Sequence, residues 1–167
     1  MKNNFVELPI STRDGKFFAR YSANGLAELD FPKVGSVRRA DRRTPQRSVP
    51  TKIKKWHHAT EAALKKVLAG KKSKLPPLDW NGATDFQKSV WRQMLKISTG
   101  KTKSYGEIST AIGKPKAVRA VGGACGANPI PVLVPCHRVL AANKKLGGFS
   151  GGLNWKRKLL TREGIAV

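Results

Sequence analysis

Acidic side chains are scarce. Ten Asp and Glu stand against 33 Lys and Arg, a formal net charge of +23 in 167 residues. That imbalance argues against an anionic working surface. The excess is not a tail, because residues 1–79 carry +11 and residues 80–167 carry +12. A basic excess spread over a chain gives salt-dependent, sequence-independent attraction for a polyanion. A generally basic proteome or a solubility role would give the same composition. Cysteine is nearly missing: the two present, Cys125 and Cys136, do not make a disulfide framework and suit a reducing compartment. No apolar run is long enough to span a bilayer, and Met1-Lys2-Asn3-Asn4-Phe5 lacks the apolar segment of a signal peptide. The expectation is a cytoplasmic chain, neither membrane-bound nor secreted. With 40% hydrophobic residues it can still bury a core.

Alternation and turn residues predict three short strands over 5–10, 16–21 and 26–31. Arg13-Asp14-Gly15 and Ala23-Asn24-Gly25 form the turns of an antiparallel meander. Residues 35–55 lose all periodicity, and the basic stretch Arg38–Arg47 reads as a loop. A helix is expected over 56–69, with Gly70 ending it. His57 and His58 open that helix. Adjacent helix positions diverge and no cysteine is near, so they read as surface histidines. Pro76-Pro77 marks a linker, 76–81, between an N-terminal sheet-and-helix domain (1–75) and a mostly helical C-terminal domain (82–167). The fold class is therefore α+β.

In the second half, Thr84 and Gln87 have capping-box spacing ahead of a helix with a buried stripe of Phe86, Val90, Trp91, Met94 and Leu95. Ser104 and Glu107 repeat the box before a short helix to Ile112, whose Tyr105, Ile108 and Ile112 share a face. Gly113-Lys114-Pro115 breaks it, and Pro115 suits the first position of the next helix, 116–125. Helix, short turn, helix is the pattern of DNA-binding units, though it also occurs where no DNA is bound. The second helix is unusual in being built of Ala117, Ala120, Gly122, Gly123 and Ala124 around one long cation, Arg119. Each glycine costs about 1 kcal/mol of helix stability relative to alanine, so something requires a slim helix. An ordinary helix is about 10–12 Å across and the DNA minor groove about 6 Å wide. Small residues would let the helix approach a widened groove. Close packing on another protein element would select the same residues.

The most informative stretch is Val134-Pro135-Cys136-His137-Arg138-Val139. It pairs one of two cysteines with one of three histidines, after the apolar run 130–134. Proline donates no backbone hydrogen bond, so Cys136 is expected where a buried strand stops and a loop begins. A lone cysteine in an apolar stretch is commonly inert. Here Asn128-Pro129 lies just upstream and Gly147-Gly148-Phe149-Ser150-Gly151-Gly152 just downstream.

Taken with Arg119-Ala120-Val121-Gly122, Ser150-Gly151-Gly152-Leu153 and Leu159-Leu160-x-x-Glu163-Gly164 in that order, residues 84–164 resemble the O6-alkylguanine-DNA alkyltransferases, the methylated-DNA–protein-cysteine methyltransferases. The first half matches only loosely, through 23–32. The resemblance implies DNA repair by direct reversal. An alkyl group would pass from O6-alkylguanine, with O4-alkylthymine a second candidate, to Cys136, once and irreversibly, with no cofactor. It implies that His137 takes the thiol proton through a water, Glu163 orients His137, Asn128 braces the loop, and Tyr105 hydrogen-bonds the flipped base. Arg119 would fill the gap left in the duplex, with Ala117, Ala120, Gly122 and Gly123 against the groove. Pro131, Val139, Gly148, Phe149, Ser150 and Gly151 would line the base pocket. The implied partner is double-stranded DNA carrying alkylated bases, met by a monomer. Some relatives hold an N-terminal zinc through Cys and His; this chain lacks those cysteines, so no metal is expected. Many relatives have tyrosine where this chain has Phe149. Two rival readings are a non-catalytic sensor of alkylated DNA, against which the presence of Cys136 speaks, and a Cys-His-Glu hydrolase, which would turn over repeatedly.

Overall fold

The computed structural model describes residues 5–32 and 49–167. The basic stretch Arg38–Arg47 lies outside them. The fold is α+β. Strands β1 (Val6–Thr12), β2 (Gly15–Tyr21) and β3 (Leu26–Asp30) form an antiparallel sheet in the order β1-β2-β3. Ile10 pairs with Phe17 and Ala19 with Leu29, so the expected meander forms in register. Phe17, Ala19 and Tyr21 are buried on one face, the period-2 pattern of a half-covered sheet. Residues 77–79 run beside β3: Leu26 donates to the Pro77 carbonyl at 2.8 Å and accepts from Asp79 N–H at 2.8 Å.

Helix α1 (Thr51–Leu68) packs Ile53, Trp56, Thr60, Ala63, Leu64 and Val67 into the core. It begins five residues before the expected start, because Ile53 extends the apolar stripe one turn back. That places His57 within the helix. Its Nδ1 lies 3.1 Å from the Tyr21 hydroxyl, and burial holds its pKa below the usual histidine value. His57 is thus a half-buried packing residue, not the surface histidine expected.

Helix α2 (Asp85–Leu95) opens with the expected Thr84–Gln87 capping box, both bonds present. Val90, Trp91 and Met94 are buried, but Leu95 is 37% exposed. One residue is 100° of helix rotation, and Leu95 falls past the edge of the stripe that faces the core. After a two-residue strand β4 (Lys103–Ser104) comes α3 (Tyr105–Ala111), again with its capping box formed, by Ser104 and Glu107. Helix α4 (Val118–Gly126) starts two residues later than the sequence suggests. Pro115 sits in a turn, closed by Ala117 N–H on the Lys114 carbonyl (2.9 Å), with its own carbonyl taken by the Ser109 hydroxyl (3.3 Å). Trp91 Nε1 donates to the Ala124 carbonyl at 2.8 Å and ties α2 to α4.

Strand β5 (Val139–Leu140) runs parallel to β4, and helix α5 (Leu153–Arg162) closes the chain. No helix among the described residues is long and apolar enough to cross a membrane.

Candidate active site and nucleic-acid interface

The apolar run before Cys136 is not a strand. Residues 131–134 form a tight turn, with Pro131 bridged to Val134 and Val132 in the left-handed region at φ 73°. A β-branched residue there costs on the order of 1–3 kcal/mol, so its surroundings must impose it. Two prolines deny the segment ladder donors, and Asn128 supplies the missing partners. Its Oδ1 accepts from Ile130 N–H (3.0 Å), and its Nδ2 donates to the Val134 carbonyl (2.8 Å). The same Nδ2 lies 3.2 Å from Cys136 Sγ. One buried amide thus shapes the turn and touches the thiol.

Cys136, His137 and Arg138 form a single 3₁₀ turn between that loop and β5. Cys136 is 4% exposed and His137 fully buried. His137 Nε2 lies 3.0 Å from Glu163 Oε1. Glu163 follows the last turn of α5, and its carboxylate also accepts from Arg138 Nε (3.0 and 3.1 Å), Arg138 Nη2 (2.8 Å) and the Gly100 N–H (3.2 Å). Arg138 completes its fork on the Ile97 carbonyl (2.6 Å) and Thr99 hydroxyl (3.2 Å). Burial alone would raise the Glu163 pKa, but the His137 and Arg138 hydrogen bonds and charges outweigh it and bring it to about 2. Glu163 is therefore an anion, and an anionic carboxylate only accepts. The imidazole must present Nε2–H to it, which leaves the lone pair on Nδ1. That Nδ1 is buried and has no partner among the described residues. Burial lowers the His137 pKa against the opposing pull of Glu163, so the ring is neutral near pH 7. Burial likewise raises the Cys136 thiol, against the Asn128 hydrogen bond and the charge of Lys156. The resting site is an uncharged thiol beside an uncharged base.

Lys156, which nothing in its spacing or neighbours singles out, is fully buried on α5. Its ammonium donates to the carbonyls of Val139 (2.7 Å), Leu146 and Gly148 (3.4 Å). It gathers β5 and the glycine loop onto one point. Tyr105 is half-buried at the start of α3, and a Cβ on Gly147 would come within 2.9 Å of its hydroxyl, so the loop passes directly over the ring. Pro131 and Val139 are buried, while Gly148 and Ser150 are exposed. Phe149 stacks edge-on against Phe31 (5.6 Å, 71°), and a Cβ on Gly151 would meet the same Phe31 ring at 2.6 Å. Phe31, Phe17 and Trp155 continue the cluster, so the sheet half braces the glycine loop.

On α4, Arg119, Ala120 and Gly123 are exposed and Ala117 and Gly122 half-exposed. A Cβ built on Gly122, Gly123 or Gly126 would find nothing within 4 Å. Among the described residues no element packs on that face, which removes close protein packing as the reason for its small residues. Arg119 has no hydrogen bond or ion pair among them either. Cys125, on the opposite side, is buried 3.6 Å from Met94 Sδ, and burial pushes its pKa up to about 12, as suits a packing residue. No three His, Cys, Asp or Glu side chains among the described residues gather closely enough to hold a metal ion.

Comparison with known proteins places the chain. Residues 85–165 match the family described as 6-O-methylguanine DNA methyltransferase, DNA binding domain. A methylated-DNA–protein-cysteine methyltransferase of Mycobacterium tuberculosis (strain H37Rv) is 57% identical over 86 residues, 52% of this chain and 52% of that protein. The matched stretch thus spans about half the length of that curated relative. The protein of the same description from Methanosarcina barkeri is 36% identical over 167 residues, 98% of this chain and 97% of its own. Among solved structures, Mycobacterium tuberculosis OGT in complex with DNA superposes with a TM-score of 0.71 at 38% identity, covering 93% of this chain and 90% of that one. An O6-methylguanine DNA methyltransferase from Methanococcus jannaschii also gives 0.71, at 27% identity, covering 96% and 95%. With similarity running the length of the chain and not through the Cys136 half alone, the chain belongs to the methylated-DNA–protein-cysteine methyltransferase family.

Proposed function

We propose that the protein repairs duplex DNA by moving the alkyl group of O6-alkylguanine to Cys136, once per molecule. The observation that carries this reading is the buried chain Asn128–Cys136, His137–Glu163–Arg138, lying beside a helix whose small-residue face is open. In the proposed reaction the Cys136 proton leaves through a bridging water to His137 Nδ1. Glu163 holds the ring in the tautomer that can receive it and stabilises the imidazolium, the logic of a nucleophile–base–carboxylate triad. Sulfur attacks the sp³ carbon on O6, the S–C bond forms, and the C–O bond breaks. The proton given up by the thiol returns to the departing guanine, to which Tyr105 donates a hydrogen bond. The product thioether does not hydrolyse under mild conditions, so the protein is consumed.

The target carbon lies inside the base stack, so the nucleotide must be turned out of the duplex. We assign Arg119 to the gap left behind and Ala117, Ala120, Gly122 and Gly123 to the groove wall. Pro131, Val139, Gly148, Phe149, Ser150 and Gly151 line the base pocket, with Phe149 acting through its ring contact to Phe31. The +23 charge supplies phosphate attraction without base readout. The chemistry needs a reduced thiol, which supports a cytoplasmic location; we also retain a monomer and the division into residues 1–75 and 82–167 joined by 76–81.

The test is mass spectrometry after reaction with a duplex containing O6-methylguanine. The Cys136 peptide gains one methyl, about 14 Da, product saturates at one per protein, and Cys136→Ser is inert. Product well beyond one equivalent would point to a turning-over hydrolase. Tight binding of the lesion without transfer would point to a sensor.

A further inference from the structure

The strongest ion cluster outside the site lies between the two halves. Asp14, at the β1–β2 hairpin tip, would ordinarily face water, yet its carboxylate is only 3% exposed. Arg162 grips it with both arms, Nη1 to Oδ2 at 2.7 Å and Nη2 to Oδ1 at 2.8 Å. Lys158 Nζ adds a contact to Oδ1 at 2.7 Å. Arg162 Nη1 also donates to the Leu68 carbonyl at 3.0 Å, which Arg13 Nη2 takes from the other side at 3.2 Å. Leu68 is the last residue of α1, where the helix dipole favours cations. Two residues on, Gly70 adopts φ +71°, and a Cβ there would fall 2.0 Å from the Arg162 carbonyl oxygen. Only glycine lets the end of α1 press so closely on the backbone of residues 162–163.

The neighbour of Arg162 is Glu163. Its side chain points the other way, into His137 and Arg138. On that side Gly100, also left-handed at φ +76°, donates its N–H to the carboxylate and lies so close that a Cβ would stand 3.3 Å from the Glu163 carbonyl. The end of α5 is therefore held on two sides, by the hairpin tip and α1 on one and by the 97–100 turn on the other. A bidentate guanidinium–carboxylate pair fixes orientation as well as distance.

We infer that Asp14 is a positioning residue for alkyl transfer: through Arg162 and Lys158 the sheet half holds the end of α5 so that Glu163 stays seated on His137. The inference rests on the alkyl-transfer reading above. It gives the N-terminal half a part in the reaction separate from any contact with DNA.

The experiment follows single-turnover transfer from free O6-benzylguanine to the full chain, without DNA, between about pH 6.5 and 9. Asp14→Asn keeps the shape of the side chain and removes its charge. The rate constant falls about tenfold near pH 7, while the amplitude stays at one equivalent. A misaligned Glu163 weakens His137 as a base, so the deficit narrows as rising pH ionises the thiol directly. Asp14→Glu restores most of the rate. Arg20→Gln, which breaks the Arg20–Glu28 pair within the sheet, lowers the melting temperature without changing the rate constant. A wild-type rate constant in Asp14→Asn, or a loss confined to amplitude and equal at all pH values, would overturn the inference. If Asp14→Asn does not fold, Arg162→Lys decides: it keeps the charge but loses the fork, so a slowed, pH-dependent rate supports the latch and a wild-type rate overturns it. A wild-type protein that takes an alkyl group neither from free O6-benzylguanine nor from an O6-methylguanine duplex would overturn both this inference and the reaction, whereas a reactive wild type with an indifferent Asp14→Asn overturns the latch alone.

Discussion

Helix α4 carries two glycines that its own stability does not want. Neither has positive φ, and a Cβ at either meets no atom within 4 Å. Alanine therefore fits at both without strain or collision. Each replacement should recover about 1 kcal/mol of helix propensity. The double variant Gly122→Ala/Gly123→Ala should then be about 2 kcal/mol more stable. For a chain of this size about 1 kcal/mol moves the melting temperature by roughly 2–4 °C, so the expected rise is about 4–8 °C. Duplex affinity should move the opposite way, because the added methyls thicken the face assigned to the groove. Gly123→Leu sharpens the contrast: its side chain projects into open space, so the fold tolerates it, yet duplex binding should weaken at least about tenfold, close to 1.4 kcal/mol. Transfer from free O6-benzylguanine, which needs no groove, should be unchanged in both variants. The assays are a thermal melt, duplex binding at fixed salt, and single-turnover transfer. A fall in melting temperature would mean the face is packed after all. Full duplex affinity in Gly123→Leu would remove α4 from the DNA interface.

Glu163→Gln replaces an obligate acceptor with an amide that can also donate, so His137 loses its enforced tautomer; transfer should slow on the order of 10³-fold, read in single turnover. The same carboxyl sets a pH window. Its pKa falls from 4.5 to about 2 in the folded protein, so its contribution to stability is complete above about pH 4.5 and is lost as pH drops from there toward 2; urea midpoints should show that decline in the wild type and a shallower one in Glu163→Gln. Lys156→Met leaves the Val139, Leu146 and Gly148 carbonyls without their shared donor, and should cost about 1–3 kcal/mol in urea unfolding and slow transfer as the loop loosens. A more stable Met variant would mean that burying the ammonium costs more than its three bonds return.

What could be read in the sequence was what is local. The strands and both capping boxes depend on neighbours a few positions apart, and they fold as their spacing says. Lys156 was illegible because Arg157 and Lys158 follow it, and three cations in a row on a helix look like a solvated face. It is buried only because β5 and the glycine loop wrap around it. Asp14 in a hairpin turn looks like any turn residue, and its partner is 148 positions away. The run 130–134 reads as a strand because Ile130, Val132 and Val134 alternate as β-branched residues, yet it folds as a turn. The deciding residue was Asn128, whose amide replaces ladder bonds with its own. The late start of α4 has a similar cause: Pro115 permits a helix to begin, but the Lys114 carbonyl and Ser109 hydroxyl offer its neighbours a turn instead.

The electrostatics of the site suit the single transfer proposed above. Here burial pushes the Cys136 thiol up and His137 down, so both rest uncharged, and the thiol is nearly closed to solvent. A neutral, enclosed thiol is a poor target for oxidants and stray electrophiles, which prefer exposed thiolates. Reactivity must then be created by the substrate's arrival: a base seated in the pocket brings the electrophilic carbon to sulfur and excludes water. In that drier setting the Lys156 ammonium and the Asn128 amide, already aimed at the thiol's surroundings, count for more as negative charge develops on sulfur. Glu163, anionic throughout, meets the imidazolium that forms. On the proposed reading, the charges needed for transfer are thus fixed in place beforehand, while the resting nucleophile stays enclosed and uncharged.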